Sequence, residues 1–208
     1  MSRFPVQDAK VQRPPLREAT LKRDRLLDWL NAKIHHKVIL VTAEAGYGKT
    51  TLLSDFARRT RNRTMWYRLD EEDRDWISVL NYIVAAGRQL DPEFGPSTTS
   101  LLGDIGDAPP ARDRIVDELV AELRTLGPVS LVLDDYHLVD DVPDVRAVMR
   151  ELVARAPDRF TFIFLGRRRP TIPLARLRTL GELAELTAND LRFDTVETER
   201  LFRDTYGR

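Results

Sequence analysis

Between Val38 and Leu53 the chain reads VILVTAEAGYGKTTLL: an apolar strand, a loop of small residues, and a helix that opens on Lys49-Thr50-Thr51. No other stretch restricts the fold as much, because a strand that turns through Gly46 and Gly48 directly into a helix belongs inside an α/β sheet. The loop follows the pattern G-x-x-x-x-G-K-[ST], in which successive backbone N–H groups and the helix N-terminus form a concave positive site for phosphate oxygens. Here it runs Ala43, Glu44, Ala45, Gly46, Tyr47, Gly48, Lys49 and Thr50, with Thr51 next, and these are the candidate nucleotide-binding residues. Ala43 replaces the first glycine, but it stands where the turn begins, and a methyl group there is less serious than one at Gly48. Lys49 is placed to reach β- and γ-phosphates as a point charge, and the Thr50 hydroxyl to ligate Mg²⁺, a hard cation that takes oxygen donors.

A second strand carries the complementary chemistry. Val129 to Asp135, VSLVLDD, is apolar until it ends in paired carboxylates. In P-loop ATPases the first such acid, here Asp134, holds Mg²⁺ through water, and the second, Asp135, polarises the attacking water. Two turn-forming aspartates closing an ordinary strand are the plainer alternative, but a phosphate loop followed by an apolar strand and Asp is the order the chemistry needs. A third strand, Phe160 to Leu165, runs into Gly166-Arg167-Arg168-Arg169-Pro170. A cation at the end of a strand lying between the other two would touch the γ-phosphate, which makes Arg167 a candidate sensor and catalytic residue beside Lys49 and Asp135. Arg168 and Arg169 read equally well as a solvated basic turn.

The remaining chain supplies the scaffold. Residues 1–20 are polar, with Pro14-Pro15 favouring an extended path, and read as a strap across the domain. Helical spacing begins near Leu26, and His35-His36 close that helix where cations complement its dipole. Two adjacent histidines on a helix point apart, so a metal site there is not expected. Trp66 and Tyr67 read as core residues of the strand Thr64 to Leu69, and the acidic run Asp70 to Asp75 as the N-terminus of a helix built on Trp76, Ile77, Leu80, Ile83 and Val84. Asp91 to Pro110, rich in Gly, Pro, Ser and Thr, is expected to be a long surface connection. Helices are predicted around Ile115 to Leu123, Val145 to Val153, Leu174 to Leu180 and Val196 to Phe202, with a last strand at Leu183 to Leu186. Acidic and basic residues number 33 each, so no global field favours nucleic acid or an anionic membrane, and the chain has no cysteine for disulfide or thiolate chemistry. No signal-like or membrane-length apolar run occurs, and cytoplasmic location is the expectation.

Several phrases resemble the nucleotide-binding domain of MalT-like, LuxR-type transcriptional regulators, members of the STAND class of signal-transduction P-loop ATPases. They are KVQRPPLREATLKRDRLL, AGYGKTTL, WYRLDEEDRD, LVLDDYHLV, LGRRRPTIPLARLR and ELTANDLRF, in family order over nearly the whole chain. Tyr47 and the Tyr136-His137 pair follow the family pattern although generic phosphate chemistry does not demand them. The resemblance implies an ATP/ADP-controlled switch in which the ATP state self-associates and activates transcription. It maps Lys49 and Thr50 onto Walker A, Asp134 and Asp135 onto Walker B, and Arg167 onto the sensor arginine, while Gly166 stands where many relatives have Ser. It places Pro15 to Arg23 near the adenine. It also implies further domains that this sequence does not contain, including the helix-turn-helix through which DNA would be bound.

The expected architecture is a three-layer α/β P-loop NTPase domain of ASCE/STAND type with a mainly parallel sheet, in which Phe160 to Leu165 separates the Walker A and Walker B strands. Residues 1–20 form the strap, 21–190 the nucleotide-binding domain, and 191–208 the start of a helical subdomain. The expected function is ATP/ADP and Mg²⁺ binding with slow hydrolysis used for signalling. The alternatives are a phosphotransferase, for which no acceptor site or lid is evident, and an interaction module that holds nucleotide without hydrolysing it. No N-K-x-D guanine element occurs, since Asn31-Ala32-Lys33-Ile34 ends in Ile.

Overall fold

The computed structural model describes residues 6–17, 20–104 and 112–206, with side chains to residue 203. Five strands, β1 (Val38–Thr42), β2 (Arg63–Arg68), β3 (Val129–Asp134), β4 (Phe160–Gly166) and β5 (Leu183–Thr187), form one sheet in the order β2-β3-β4-β1-β5. Every pairing is parallel. The strand carrying Arg167 thus lies between the P-loop strand and the paired-carboxylate strand, as expected from the sequence.

A parallel sheet is covered on both faces, so its strands read as continuous apolar runs rather than alternating ones. Helices α4 (Trp76–Arg88), α6 (Arg112–Thr125) and α7 (Pro143–Arg155) cover one face. They pack on Leu40, Tyr67, Leu131 and Phe162. Helices α2 (Asp24–Lys33) and α3 (Lys49–Arg59) cover the other. There Leu30, Leu53 and Phe56 meet Ile39, Trp66, Val132 and Ile163. Neighbours in sequence therefore feed opposite cores, as Trp66 and Tyr67 do, and each fully buried Leu, Val or Phe adds about 1.5 to 3 kcal/mol.

The strap is not wholly extended. It contains a single helical turn, α1 (Asp8–Val11), which packs against the edge strand β2. Lys10 is buried there and its ammonium reaches Asp70 at 2.8 Å and Asp73 at 2.9 Å. Part of the acidic run therefore anchors the strap, and only Asp75 caps α4, accepting from the Ser78 N–H. Farther on, the Ser54 hydroxyl donates to the Pro14 carbonyl at 2.5 Å.

The expected surface connection at Asp91 to Pro110 is helical from Pro96 to Gly103. Helix α5 (Pro96–Gly103) starts on Gly95, whose φ is +77°, with Pro96 in its first turn, and it buries Thr98 and Leu102. The Glu122 carboxylate accepts from the Ser97 N–H at 2.8 Å and the Thr98 hydroxyl at 2.5 Å, which satisfies a helix start that has no side-chain cap of its own. Phe94 packs so closely on Gly87 that a β-carbon there would lie 2.2 Å from the ring. Gly95 and Pro96, which read as loop punctuation, start a helix, while 105–110 fall outside the described residues. The last helices are α8 (Leu174–Thr179) and α9 (Thr195–Tyr206).

Candidate functional site

The site forms at the C-terminal edge of the sheet, where β1, β3 and β4 end side by side. β1 passes into the loop at Ala43, whose N–H donates to the Gly166 carbonyl at 3.2 Å. Gly46 and Gly48 hold φ of +87° and +75° with nothing near the missing β-carbons, so these positions require glycine for conformation rather than space. Ala43 needs no such freedom, because Asp135 is the only non-glycine residue with positive φ among the described residues.

Lys49, the first residue of α3, is 8% exposed and folds back along the loop, donating to the carbonyls of Ala43 at 2.7 Å and Glu44 at 2.9 Å. Burial lowers its pKa, and the nearby Arg167 guanidinium acts in the same direction against the opposing pull of Asp135 and Asp134. The next residue, Thr50, donates its hydroxyl to both oxygens of Asp134 at 3.0 Å. Two elements 84 residues apart in sequence therefore close on one point. Asp134 is 1% exposed, and burial together with the charge of Asp135 pushes its pKa up to about 6. Hydroxyl and carboxylate oxygens at that spacing are the hard donors that suit Mg²⁺, whose charge would favour the ionised acid.

Asp135 leaves the strand in left-handed backbone conformation, φ 59°, which Asp tolerates better than most residues. Its carboxylate is partly exposed and 3.9 Å from Nδ1 of His137. His137 lies in the 3-10 turn Tyr136–Leu138, with Nδ1 buried and without a hydrogen-bond partner among the described residues. Burial lowers its pKa, and Arg167, Lys49 and Arg168 add to that against the opposing pull of Asp135. Thr42 is in register with Gly166, so Arg167 emerges beside the start of the phosphate loop, and its side chain is exposed. A β-carbon on Gly166 would sit 3.2 Å from the Arg168 carbonyl and 3.5 Å from His137, so the departure from Ser fits a crowded turn. Arg68, in register with Asp134, adds a cation on the other side of that acid.

Beyond the loop, a cavity of about 1010 Å³ opens against Ala45, Gly46, Tyr47, Gly48, Thr50 and Thr51. Its other walls are the strap, from Pro14 to Arg17 with Thr20, Leu21 and Arg23, and the C-terminal residues Leu191, Arg192, Phe193 and Leu201. Arg23 ties these walls together. It is 8% exposed, pairs with Glu197 through Nε at 3.2 Å and Nη2 at 2.9 Å, and donates to the carbonyls of Leu191 and Arg192. The sequence-predicted residues Ala43 to Thr51, Asp134, Asp135 and Arg167 thus come together at one end. The structure adds His137 and Arg68 there and the 191–201 wall at the other end. His137 and Leu191 to Phe193 are visible in the sequence only within the family phrases LVLDDYHLV and ELTANDLRF.

A model of the AAA domain family matches residues 32–169, which include Lys49, Thr50, Asp134, Asp135 and Arg167. Two proteins described as HTH-type transcriptional regulator MalT, from two strains of Klebsiella pneumoniae, are each 31% identical over 195 residues. That match spans 93% of this chain but only 21% of each relative, so the chain represents about a fifth of their length. Among solved structures, the Walker-type ATPase PABY2304 of Pyrococcus abyssi superposes with a TM-score of 0.58 at 10% identity, over 91% of this chain and 60% of that one. At that identity the likeness concerns the fold alone.

Proposed function

The chain belongs to the AAA domain family, and from that premise we propose that it is the nucleotide-binding switch domain of a MalT-like transcriptional regulator of the STAND class. It binds ATP and ADP with Mg²⁺, hydrolyses ATP slowly, and uses the difference between the two nucleotides to control self-association of a longer cytoplasmic protein. DNA contact belongs to a helix-turn-helix elsewhere in that protein. Within the chain, 21–190 form the nucleotide-binding domain, and 191–208 open a helical subdomain.

The observation that carries this reading is the Thr50 hydroxyl bonded to both oxygens of Asp134 at 3.0 Å, directly after Lys49. Those two side chains would hold Mg²⁺, which when bound neutralises charge on the phosphate oxygens. Lys49 exchanges its two loop carbonyls for phosphate oxygens, and the backbone N–H groups from Ala45 to Thr51 fix the same phosphates. Asp135 polarises the attacking water, with the His137 ring beside it. Arg167 touches the γ-phosphate and so distinguishes tri- from diphosphate. The membership of the family and the MalT similarity across the chain support the regulatory role. Among the described residues no helix is long and apolar enough to cross a membrane.

The test is the nucleotide released on denaturing the freshly purified protein, followed by calorimetry of ADP and a non-hydrolysable ATP analogue with and without Mg²⁺. Copurifying ADP and Mg²⁺-strengthened binding of the analogue are expected. A protein that carries and binds neither nucleotide is not a nucleotide switch.

A further inference from the structure

A second cavity, of about 490 Å³, lies under the strap, walled by the end of α3, the start of β2 and the residues just after α4. No carboxylate borders it, whereas three guanidinium groups do, those of Arg13, Arg61 and Arg63. In a chain whose acids and bases balance, that surplus makes a local positive field. Arg63 donates to the carbonyls of Leu126 at 3.2 Å and Leu90 at 2.7 Å, which orient its charge without neutralising it. Arg13 and Arg61 are exposed and have no hydrogen bond or ion pair among the described residues. The C-terminal ends of α3 and α4 lie at the same space, each equivalent to roughly half a negative charge, and the three guanidinium groups outweigh them.

Surface arginines alone would not make a site, but the wall also includes Trp66. It is 2% exposed, and its indole Nε1 is buried with no hydrogen-bond partner among the described residues. An indole N–H can only donate, and a buried donor without an acceptor is uncommon and costly. The unmet donor and the unneutralised guanidinium groups call for one chemistry, oxygen atoms that carry negative charge.

We propose that this cavity is a second ligand site, separate from the nucleotide site, and that it takes a small organic anion bearing two or more oxyanion groups. A guanidinium fork matches the paired oxygens of a carboxylate or a phosphate, and Trp66 donates to one oxygen more. The volume is that of a small-molecule site and exceeds what one such group fills, while arginines from the strap and from β2 can each hold a separate group. An occupant therefore bridges the strap and the far end of the helix that opens on Lys49.

The experiment follows the indole N–H signals of the three tryptophans in the ¹⁵N-labelled chain by NMR, at constant ionic strength. Trp66→Phe identifies the Trp66 signal, and Trp29→Phe with Trp76→Phe does so by elimination should that variant not fold. Citrate and pyrophosphate are the probes, with acetate as the single-group control. At least one probe should move the Trp66 signal saturably while those of Trp29 and Trp76 stay, and the probe with the lower midpoint tells whether the groups are carboxylates or phosphates. Because the readout sits at Trp66, the same probes on the phosphate loop do not mimic it. Acetate should bind more weakly by on the order of tenfold or more, and Arg13→Gln should raise the midpoint by on the order of tenfold. Arg176→Gln, on α8 beside the opposite edge strand β5, should leave it unchanged. A Trp66 signal that no probe moves at millimolar concentration overturns the site and leaves a hydrated cavity. Equal midpoints for the unaltered chain and Arg13→Gln reduce the effect to general surface charge and overturn it as well. Acetate as effective as citrate overturns the requirement for more than one group.

Discussion

At the phosphate end of the site each group comes from a strand terminus or the residues directly after one: Ala43 to Thr51 after β1, Asp134 and Asp135 at the end of β3, Arg167 after β4. At the base end the walls come from the strap before β1 and the segment after β5, joined by Arg23 and Glu197 across a separation of 174 residues. The first end cannot shift without disturbing sheet register. The second hangs on short segments held by the buried Arg23 and Glu197 pair, by Arg23's bonds to two carbonyls, and by exposed contacts of Arg25 and Arg200. A buried pair spends much of its attraction on desolvation, so it orients its partners more than it stabilises them. On the proposed reading, the phosphate end supplies affinity and chemistry, and the base end is the part able to move with occupancy.

The largest test of that division is Lys49→Ala, which removes the loop's own cation. Affinity for ATP and ADP should fall by on the order of a hundredfold or more, with the melting temperature little changed. Near-native calorimetric affinity would mean that the phosphates bind elsewhere. Next comes Asp135→Asn, expected to slow hydrolysis by about 10² to 10⁴ while binding persists, whereas Asp134→Asn should weaken binding only when Mg²⁺ is present. If single-turnover and binding assays gave both variants one common defect, the two acids would not divide the work. Arg167→Ala should cost about tenfold for an ATP analogue and almost nothing for ADP, since a charge-assisted contact is worth roughly 1.5 to 3 kcal/mol. Equal losses would make Arg167 a general phosphate residue. The smallest effect is expected at the base end. Glu197→Gln keeps the shape but removes the charge facing Arg23, so both nucleotides should weaken roughly three- to tenfold. Amide exchange should quicken in α9 and not in β1, β3 or β4, and faster exchange in the strands would show that the two ends are not independent.

The same contrast explains what could be read in advance. The phosphate end is written in contiguous stretches, because a strand, a turn and a helix start each have local residue requirements. The position of β4 between β1 and β3 is expected from the P-loop architecture, and Arg167 is singled out from that position. The Arg23 to Glu197 pair has no local signature, since an arginine before a helix and a glutamate in another look like ordinary surface charges. Lys10 misleads in the same way, reading as polar strap until Asp70 and Asp73 enclose it. Helix α5 was missed because Gly95 and Pro96 serve loops and helix starts alike, and only the distant Glu122 decides between them. His137 sits where chemistry can use it, but its closeness to Asp135 depends on a left-handed residue that the sequence Asp-Asp-Tyr-His does not announce.

β1 is hydrogen-bonded to β4 and β5, both of which lie more than half the chain later. On a ribosome the phosphate loop is therefore among the first functional parts to emerge and among the last to be held in place. Its strand must wait, unpaired and apolar, until β4, ending at Gly166, is available. Throughout that interval the nascent chain offers no seat for a nucleotide and an exposed strand for chaperones or aggregation. Nucleotide capture accordingly marks the end of the domain's synthesis, and products that stop short of β4 should be recovered insoluble or chaperone-bound whatever the nucleotide supply.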